Sequence, residues 1–371
     1  MEVADIKDAQ QWNQLIENLP GAHVLQTWQW GEVKAQFGWD VHPLIWRDGK
    51  GRVDAAALVL QRRISNKLLP IRLSVIYVPK GPLLDWSDRT LVQQVLIDLK
   101  QFAKNQRAIF IKIDPDLPVG YGIPGEAQAQ DDPIGQNIRR ILESKGWIFS
   151  DEQIQFRNTV AIDLRPDEEE LLTRMKAKTR YNIRLAKRRG VTVRSGTDDD
   201  IDLLYHMYAH TAVRDDFLIR HKKYYKTVWG AFCKADLAQP LIAEVEGQPV
   251  GAVVIFRFAG CAWYFYGMSL DEHREKMFNH RLQWEAMCHA KAFGCHTYDM
   301  WGAPDIFNED DPLWGVYRFK DGFGGKVIRT LGAWDLPIRP LIFRLYSQVL
   351  PKILNWMRQR GKSETKRSMQ L

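Results

Sequence analysis

Apolar and polar positions along this chain run through the same succession of periods twice. In the first half, helical spacing over residues 9–18 leads through an aromatic stretch, 28–37, to a hairpin of residues 41–46 and 53–61 around Asp48-Gly49-Lys50-Gly51. A strand over 73–78 runs into Pro79-Lys80-Gly81-Pro82, and a helix over 89–105 feeds a strand at 109–113 that ends in Asp114-Pro115. In the second half a helix over 201–214 precedes a hairpin of 241–245 and 250–256, turning at Glu246-Gly247-Gln248-Pro249. A strand over 262–266 runs into Gly267, and a helix over 280–293 feeds a strand at 297–301.

Helix, hairpin, strand, helix, strand, read twice, predicts two homologous α/β units. That order is similar to the GNAT-type acyltransferase fold. The expected class is therefore α/β (α+β), with two tandem GNAT-like acyltransferase domains at residues 1–160 and 161–331. Residues 332–371 are expected to dock back on the first. GNAT enzymes that use acyl-CoA carry a Q/R-x-x-G-x-G/A loop whose amides cradle pyrophosphate at a helix N-terminus. The equivalent stretches here are 78–91, with one glycine between Pro79 and Pro82, and 274–280, with none. Neither can form that cradle, so the expected donor is not acyl-CoA, and no cofactor is expected.

Composition changes this picture little, but charge does. A chain of 371 residues with 45% apolar content has room for two cored domains. Its formal net charge of +7 favours phosphate-rich or anionic-membrane partners. Cys233, Cys261, Cys288 and Cys295 form no C-x-x-C pair and read as reduced thiols. There is no apolar leader and no run near the ~18 residues of a membrane span. A cytoplasmic location is expected, with peripheral contact at the inner face of the membrane left open.

The charge is concentrated in residues 165–190. Asp167-Glu168-Glu169-Glu170 opens a predicted helix after Pro166, and residues 174–189 then hold eight Lys/Arg and no acid. Lys176, Arg180, Arg184 and Arg188 recur at intervals of four, a cationic stripe suited to phosphate or nucleic acid. Further on, Arg220 and Tyr224 are four apart, and a guanidinium beside a phenol suits a diphosphate. In Tyr317-Arg318-Phe319-Lys320-Asp321-Gly322-Phe323-Gly324-Gly325-Lys326, one lysine follows a phenylalanine and precedes a glycine-rich turn. A cation held there suits an anionic substrate or the oxyanion of an attacked ester. His206 and His210 have ligand spacing but no acid between them, so they read as packing and no metal is expected. No G-x-S-x-G, P-loop or paired-carboxylate motif supplies a conventional nucleophile.

Six segments in order resemble the Fem family (FemA/FemB/FemX type) of peptidoglycan-bridge aminoacyltransferases. They are Gln26-Thr27-Trp28-Gln29-Trp30-Gly31-Glu32-Val33-Lys34, Lys112-Ile113-Asp114-Pro115, Lys178-Thr179-Arg180-Tyr181-Asn182-Ile183-Arg184, residues 214–225, Tyr266-Gly267-Met268-Ser269 and residues 317–325. The resemblance implies transfer of an amino acid (Gly, Ala or Ser class) from aminoacyl-tRNA to a stem-peptide amine of UDP-MurNAc-pentapeptide or lipid II. On the matching positions it implies that Lys34 and Arg220, with Tyr224 beside the latter, hold the acceptor diphosphate. It implies that Lys320 after Phe319 stabilises the oxyanion, and that Asp114 and Tyr266 lie near the acceptor amine. The stretch between Tyr181 and Gly190 is too short for the coiled-coil arm of some members, so the likeness is to the arm-less FemX-like branch, with the basic helix contacting tRNA. The general base is not identified; Asp114 and the tRNA's own vicinal hydroxyl are both candidates. A GNAT-like N-acyltransferase with another carrier donor, or a non-catalytic tRNA or cell-wall-precursor binding protein, remains open beside it. Residues 340–367 mix apolar and basic positions and read as a helix docked on the first domain or as a patch resting on anionic lipid.

Overall fold

The computed structural model describes residues 1–4, 8–66 and 69–348. They divide into two units. The first holds residues 1–159, 305–307 and 327 to the end of the described chain; the second holds 160–304 and 308–326.

In the first unit one sheet runs in the order Glu2–Val3, Asp40–Arg47, Val53–Asn66, Leu69–Val78, Ala108–Ile113, Trp334–Pro337, Ile148–Phe149. Its one parallel pair is Leu69–Val78 with Ala108–Ile113, joined by the crossover helix Arg89–Asn105. Asp88 caps that helix by accepting from the amides of Thr90 and Leu91 at 2.9 and 3.0 Å. Val92, Val95, Leu96, Leu99 and Phe102 recur at helical spacing and pack on Trp46, Ala57, Val59, Ile76 and Ile111 of the sheet. The parallel strands stay paired to their ends, at Val78 and Ile113. Residues 340–348 form a helix whose Ile342, Phe343 and Tyr346 pack on Val75, Ile109 and Phe110. The rings of Phe343 and Tyr346 lie 5.3 and 5.5 Å from Phe110. The rest of the stretch expected to dock or to meet lipid, from residue 349 on, lies outside the described residues.

The second unit repeats the scheme with the order Val191–Ser195, Ala238–Val245, Gln248–Phe258, Cys261–Ser269, Thr297–Asp299, Asn158–Asp163. Helix Phe278–Ala292 makes the crossover between the parallel strands Cys261–Ser269 and Thr297–Asp299. Here the pairing stops after Cys261/Thr297, Ala262/Tyr298 and Trp263/Asp299, so the strands part from Tyr264 onward. Two features cause the parting. A register shift opposite Val254/Ile255 puts an extra residue in Cys261–Ser269, which bends the strand. Trp301 adopts φ 54°, a left-handed conformation costly for a bulky residue, and turns the other strand away. The strand expected to reach residue 301 ends at Asp299 for that reason. Where the strands part, Lys320 of the Phe-Lys motif reaches the Tyr264 ring and the carbonyls of Trp301 and Gly302.

The single helix expected over the charged segment is two helices, Glu168–Arg174 and Ala177–Arg188. The break falls at Lys176, whose amide donates at 2.9 Å to the carbonyl of Gly322. Helix Pro133–Ser144 and helix Lys222–Lys234 have no counterpart in the sequence reading.

Candidate active site

Lys320 lies near the end of helix Trp314–Asp321 and is 5% exposed. Its Nζ donates to the main-chain carbonyls of Trp301 and of Gly302, the latter at 2.6 Å, and lies 5.8 Å from the centre of the Tyr264 ring. Two successive carbonyls converge on one ammonium because Trp301 and Gly302 both have positive φ, 54° and 60°. Asp299 holds that turn by accepting from the Trp301 amide at 2.7 Å. Burial pushes the Lys320 amine down to about 7, against a smaller upward pull from Asp299. The sequence pointed to a cation held at this position; two carbonyls hold it, and with the amine lowered to about 7 the charge is not fixed at neutral pH.

The helix ends in Gly322-Phe323-Gly324. Gly324 sits at φ 77°, where a Cβ would lie 2.4 Å from the carbonyl oxygen of Arg174, so the turn lies flush against the entry to the basic helix. Phe319 packs edge-on against His280 at 5.1 Å and Phe323 at 5.2 Å. The His280 Nε2 in turn lies 3.2 Å from the side-chain Nδ2 of Asn182 on the basic helix, and burial lowers its imidazole to about 4. Lys176 pairs with Asp321. The Phe-Lys motif and helix Ala177–Arg188 are thus joined at both ends of the motif.

The expected four-residue cationic stripe is interrupted. Lys176 is the residue before the helix and is engaged by Asp321, while Arg180 turns back to the carbonyls of Thr173 and Met175, closing the preceding helix. Arg184 and Arg188 remain on the exposed face, with Lys178 and Lys187 on either side.

Tyr266 is half-buried in a ring cluster with Tyr208, Tyr225 and Trp229 at 5.6–5.8 Å. Burial raises its phenol well above the ordinary value, keeping it a neutral donor. Arg220, exposed just before helix Lys222–Lys234, lays its guanidinium over the Tyr224 ring at 4.7 Å, and its amide donates to the Tyr225 hydroxyl at 3.1 Å. Buried Tyr224 therefore fixes a presented cation, as the four-residue spacing suggested.

In the first unit, Lys34 on helix Trp28–Gln36 places Nζ 4.2 Å from the Trp30 ring centre. Asp114 is 3% exposed. It accepts from the Tyr77 hydroxyl at 2.6 Å and the Lys80 amide at 2.5 Å, and Gln155 donates to the same hydroxyl at 3.3 Å. Burial raises its carboxyl to about 6, against the pull of Lys80 and Tyr77. Lys80 itself is buried and pairs with Asp116 at 3.0 Å. Tyr77, Lys80, Asp299 and His280 were not singled out as site residues in the sequence reading. No motif marks them; Pro79-Lys80-Gly81-Pro82 was visible only as a turn.

The α/β scheme repeated in two units, with one buried lysine beside the parted strands of the second, is the architecture of a tandem GNAT-like protein. The comparisons agree. The FemAB family's sequence model matches residues 8–248 and 234–350, so the chain belongs to the FemAB family, and acyl transfer is its reaction class. The Lipid II:glycine glycyltransferase of Staphylococcus aureus (strain USA300) is 24% identical over 414 aligned positions, covering 93% of this chain and 95% of that protein. That alignment is longer than the 371 residues of this chain, so the relative carries segments without a counterpart here. The crystal structure of FemX superposes with a TM-score of 0.80 at 20% identity, covering 93% of this chain and 99% of that one. A tandem GNAT protein from the clavulanic acid biosynthesis pathway superposes with a TM-score of 0.52 at 14% identity over 91% of this chain and 97% of that one. No helix among the described residues is long and apolar enough to cross a membrane.

Proposed function

We propose that this chain transfers an amino acid from aminoacyl-tRNA to a stem-peptide amine of a peptidoglycan precursor, UDP-MurNAc-pentapeptide or lipid II, in interpeptide bridge formation. The observation that carries this reading is the attachment of the Phe319-Lys320 motif to a helix whose outer face is cationic, through Lys176–Asp321 and Asn182–His280–Phe319. A carrier RNA held on that helix presents its ester to Lys320. That the glycyltransferase relative acts on lipid II supports a peptidoglycan precursor as acceptor.

Aminoacyl-tRNA is already an activated ester, so no covalent enzyme intermediate is required. The acceptor amine attacks the ester carbonyl, its C–N bond forms and the carbonyl oxygen becomes an oxyanion. Lys320, leaving the carbonyls of Trp301 and Gly302, donates to that oxygen. The ribose oxygen then leaves with the proton released by the amine, and an amide remains. Asp114, with its carboxyl raised to about 6, accepts a hydrogen bond from the amine, and the neutral Tyr266 phenol serves as a hydrogen-bond donor to the acceptor. Lys34 and the Arg220–Tyr224 pair hold the diphosphate. Peripheral contact with anionic lipid at the cytoplasmic face fits the exposed Leu341 and Leu345, 82% and 63%, on the outer side of the helix at 340–348. In sedimentation with anionic vesicles, Leu341→Ser/Leu345→Ser should stay in the supernatant; equal pelleting would remove this contact from the reading.

The reaction is tested by incubating the protein with a mixed aminoacyl-tRNA pool and both acceptors, then weighing the products. The expected result is an acceptor heavier by one amino-acid residue. Transfer that survives ribonuclease treatment of the donor would indicate another carrier, and binding without product would indicate a non-catalytic protein.

A further inference from the structure

We propose that Tyr181, framed by Arg184 and Arg188, is a stacking platform for an unpaired base of the carrier RNA. The inference rests on the RNA-carried donor proposed above, and names the element of the second unit that takes its single-stranded end.

Helix Ala177–Arg188 buries Thr179, Asn182, Ile183 and Ala186. At ~3.6 residues per turn these four define one face, and Tyr181, Arg184 and Arg188 point the opposite way. Tyr181 is 56% exposed, so its ring contributes little to the core. Arg188 lies 5.9 Å from the ring centre, giving a phenol and a guanidinium side by side on the outside of the helix. Neither Arg184 nor Arg188, nor the flanking Lys178 and Lys187, has an acidic partner among the described residues. An exposed aromatic ring with Arg188 beside it, on a helix that also exposes Arg184, Lys178 and Lys187, matches the two requirements of single-stranded nucleic acid: phosphates to neutralise and a base face to cover. An acidic peptide would use the cations but not the ring.

Position supports the same partner. Asn182, next to Tyr181, contacts His280, which packs on Phe319, the residue before Lys320. A base stacked on Tyr181 is thereby fixed relative to Lys320 through side chains of one unit. A duplex held by phosphates alone would slide along the helix, whereas a stacked terminal base sets the register of the ester behind it.

The test uses the full chain and two RNA hairpins of equal charge per nucleotide, one with an unpaired ACCA tail and one blunt, read by fluorescence anisotropy. Wild type should prefer the tailed hairpin. Tyr181→Ala should lose about 10-fold affinity for the tailed hairpin and none for the blunt one. Tyr181→Phe and Tyr181→Trp should behave as wild type. Arg184→Glu/Arg188→Glu should weaken both hairpins and flatten their salt dependence. If wild type binds tailed and blunt hairpins alike, or Tyr181→Ala keeps the preference, the platform is overturned while an RNA donor stands. If neither hairpin binds, the RNA donor itself falls and the platform with it. Pelleting with anionic vesicles that depends on Tyr181, without RNA discrimination, would assign the face to lipid and overturn the proposal.

Discussion

Replacing Lys320 by Met gives a prediction whose size follows from its surroundings. The amine is buried, held by two carbonyls, and titrates near 7 instead of its ordinary 10.5. In the unfolded chain it keeps its proton up to the ordinary value. Below about pH 7 both states are charged, and burial of the charge costs about 5 kcal/mol at ~1.36 kcal/mol per pH unit of displacement. Between the folded and unfolded values the unfolded chain binds the extra proton, so stability rises with pH and the cost is relieved. From about pH 7, where the folded-state amine is half titrated, to about pH 9 the wild type should gain roughly 2.3 kcal/mol relative to Lys320→Met, which has nothing to titrate there. Other groups cancel in the difference. Urea unfolding of both proteins across this range, followed by tryptophan fluorescence, reads it directly. The variant should be the more stable protein in mild acid, with the gap closing as pH rises. Parallel stability curves would show that the lysine is not held as a desolvated cation, and would remove the physical basis of its role.

Four further predictions concern other groups. Arg180→Ala should cost about 1–2 kcal/mol of stability, because it strips the carbonyls of Thr173 and Met175, without altering RNA affinity; Arg184→Glu/Arg188→Glu should do the reverse, lowering the salt slope of RNA binding by about two. Lys34→Ala or Arg220→Ala should weaken acceptor binding by about 1–3 kcal/mol, and an acceptor lacking the diphosphate should bind wild type and variants alike. Asp114 has its carboxyl raised to about 6, so the folded state holds the proton more tightly and wild-type stability should fall, relative to Asp114→Asn, as pH rises from the ordinary carboxyl value, 3.8, to about 6; a flat difference in denaturant melts would contradict its burial as a carboxylate.

The repeat was legible because each hairpin and crossover helix is coded locally. Helical spacing over 89–105 recovered Arg89–Asn105 residue for residue, and 280–293 differs from Phe278–Ala292 only at its ends. The Phe-Lys motif was legible through its glycines, since Gly324 occupies a conformation and a space that no other residue fits. What holds Lys320 was not. Its partners are carbonyls, which every residue has, aimed by a left-handed Trp301 that no propensity foretells. The break at Lys176 was hidden for a similar reason. Residues 165–190 read as one helix locally, and the amide that would extend it is taken by Gly322, distant in sequence. Arg180 and Arg184 look equivalent by spacing, and only tertiary structure shows that one is a helix cap and the other is presented. Asp114 stood out beside its proline, but its clasp by Tyr77 and the Lys80 amide requires the turn after Val78 to fold back on it.

Single-turnover transfer from radiolabelled aminoacyl-tRNA to UDP-MurNAc-pentapeptide, in wild type and Lys320→Met, tests the central claim most directly. With both substrates bound to saturation, label should pass to the acceptor in the wild type and move ~10²–10³-fold more slowly in the variant, with both affinities retained. Transfer at the wild-type rate by Lys320→Met, or label reaching the acceptor after the RNA has been digested, would contradict the account.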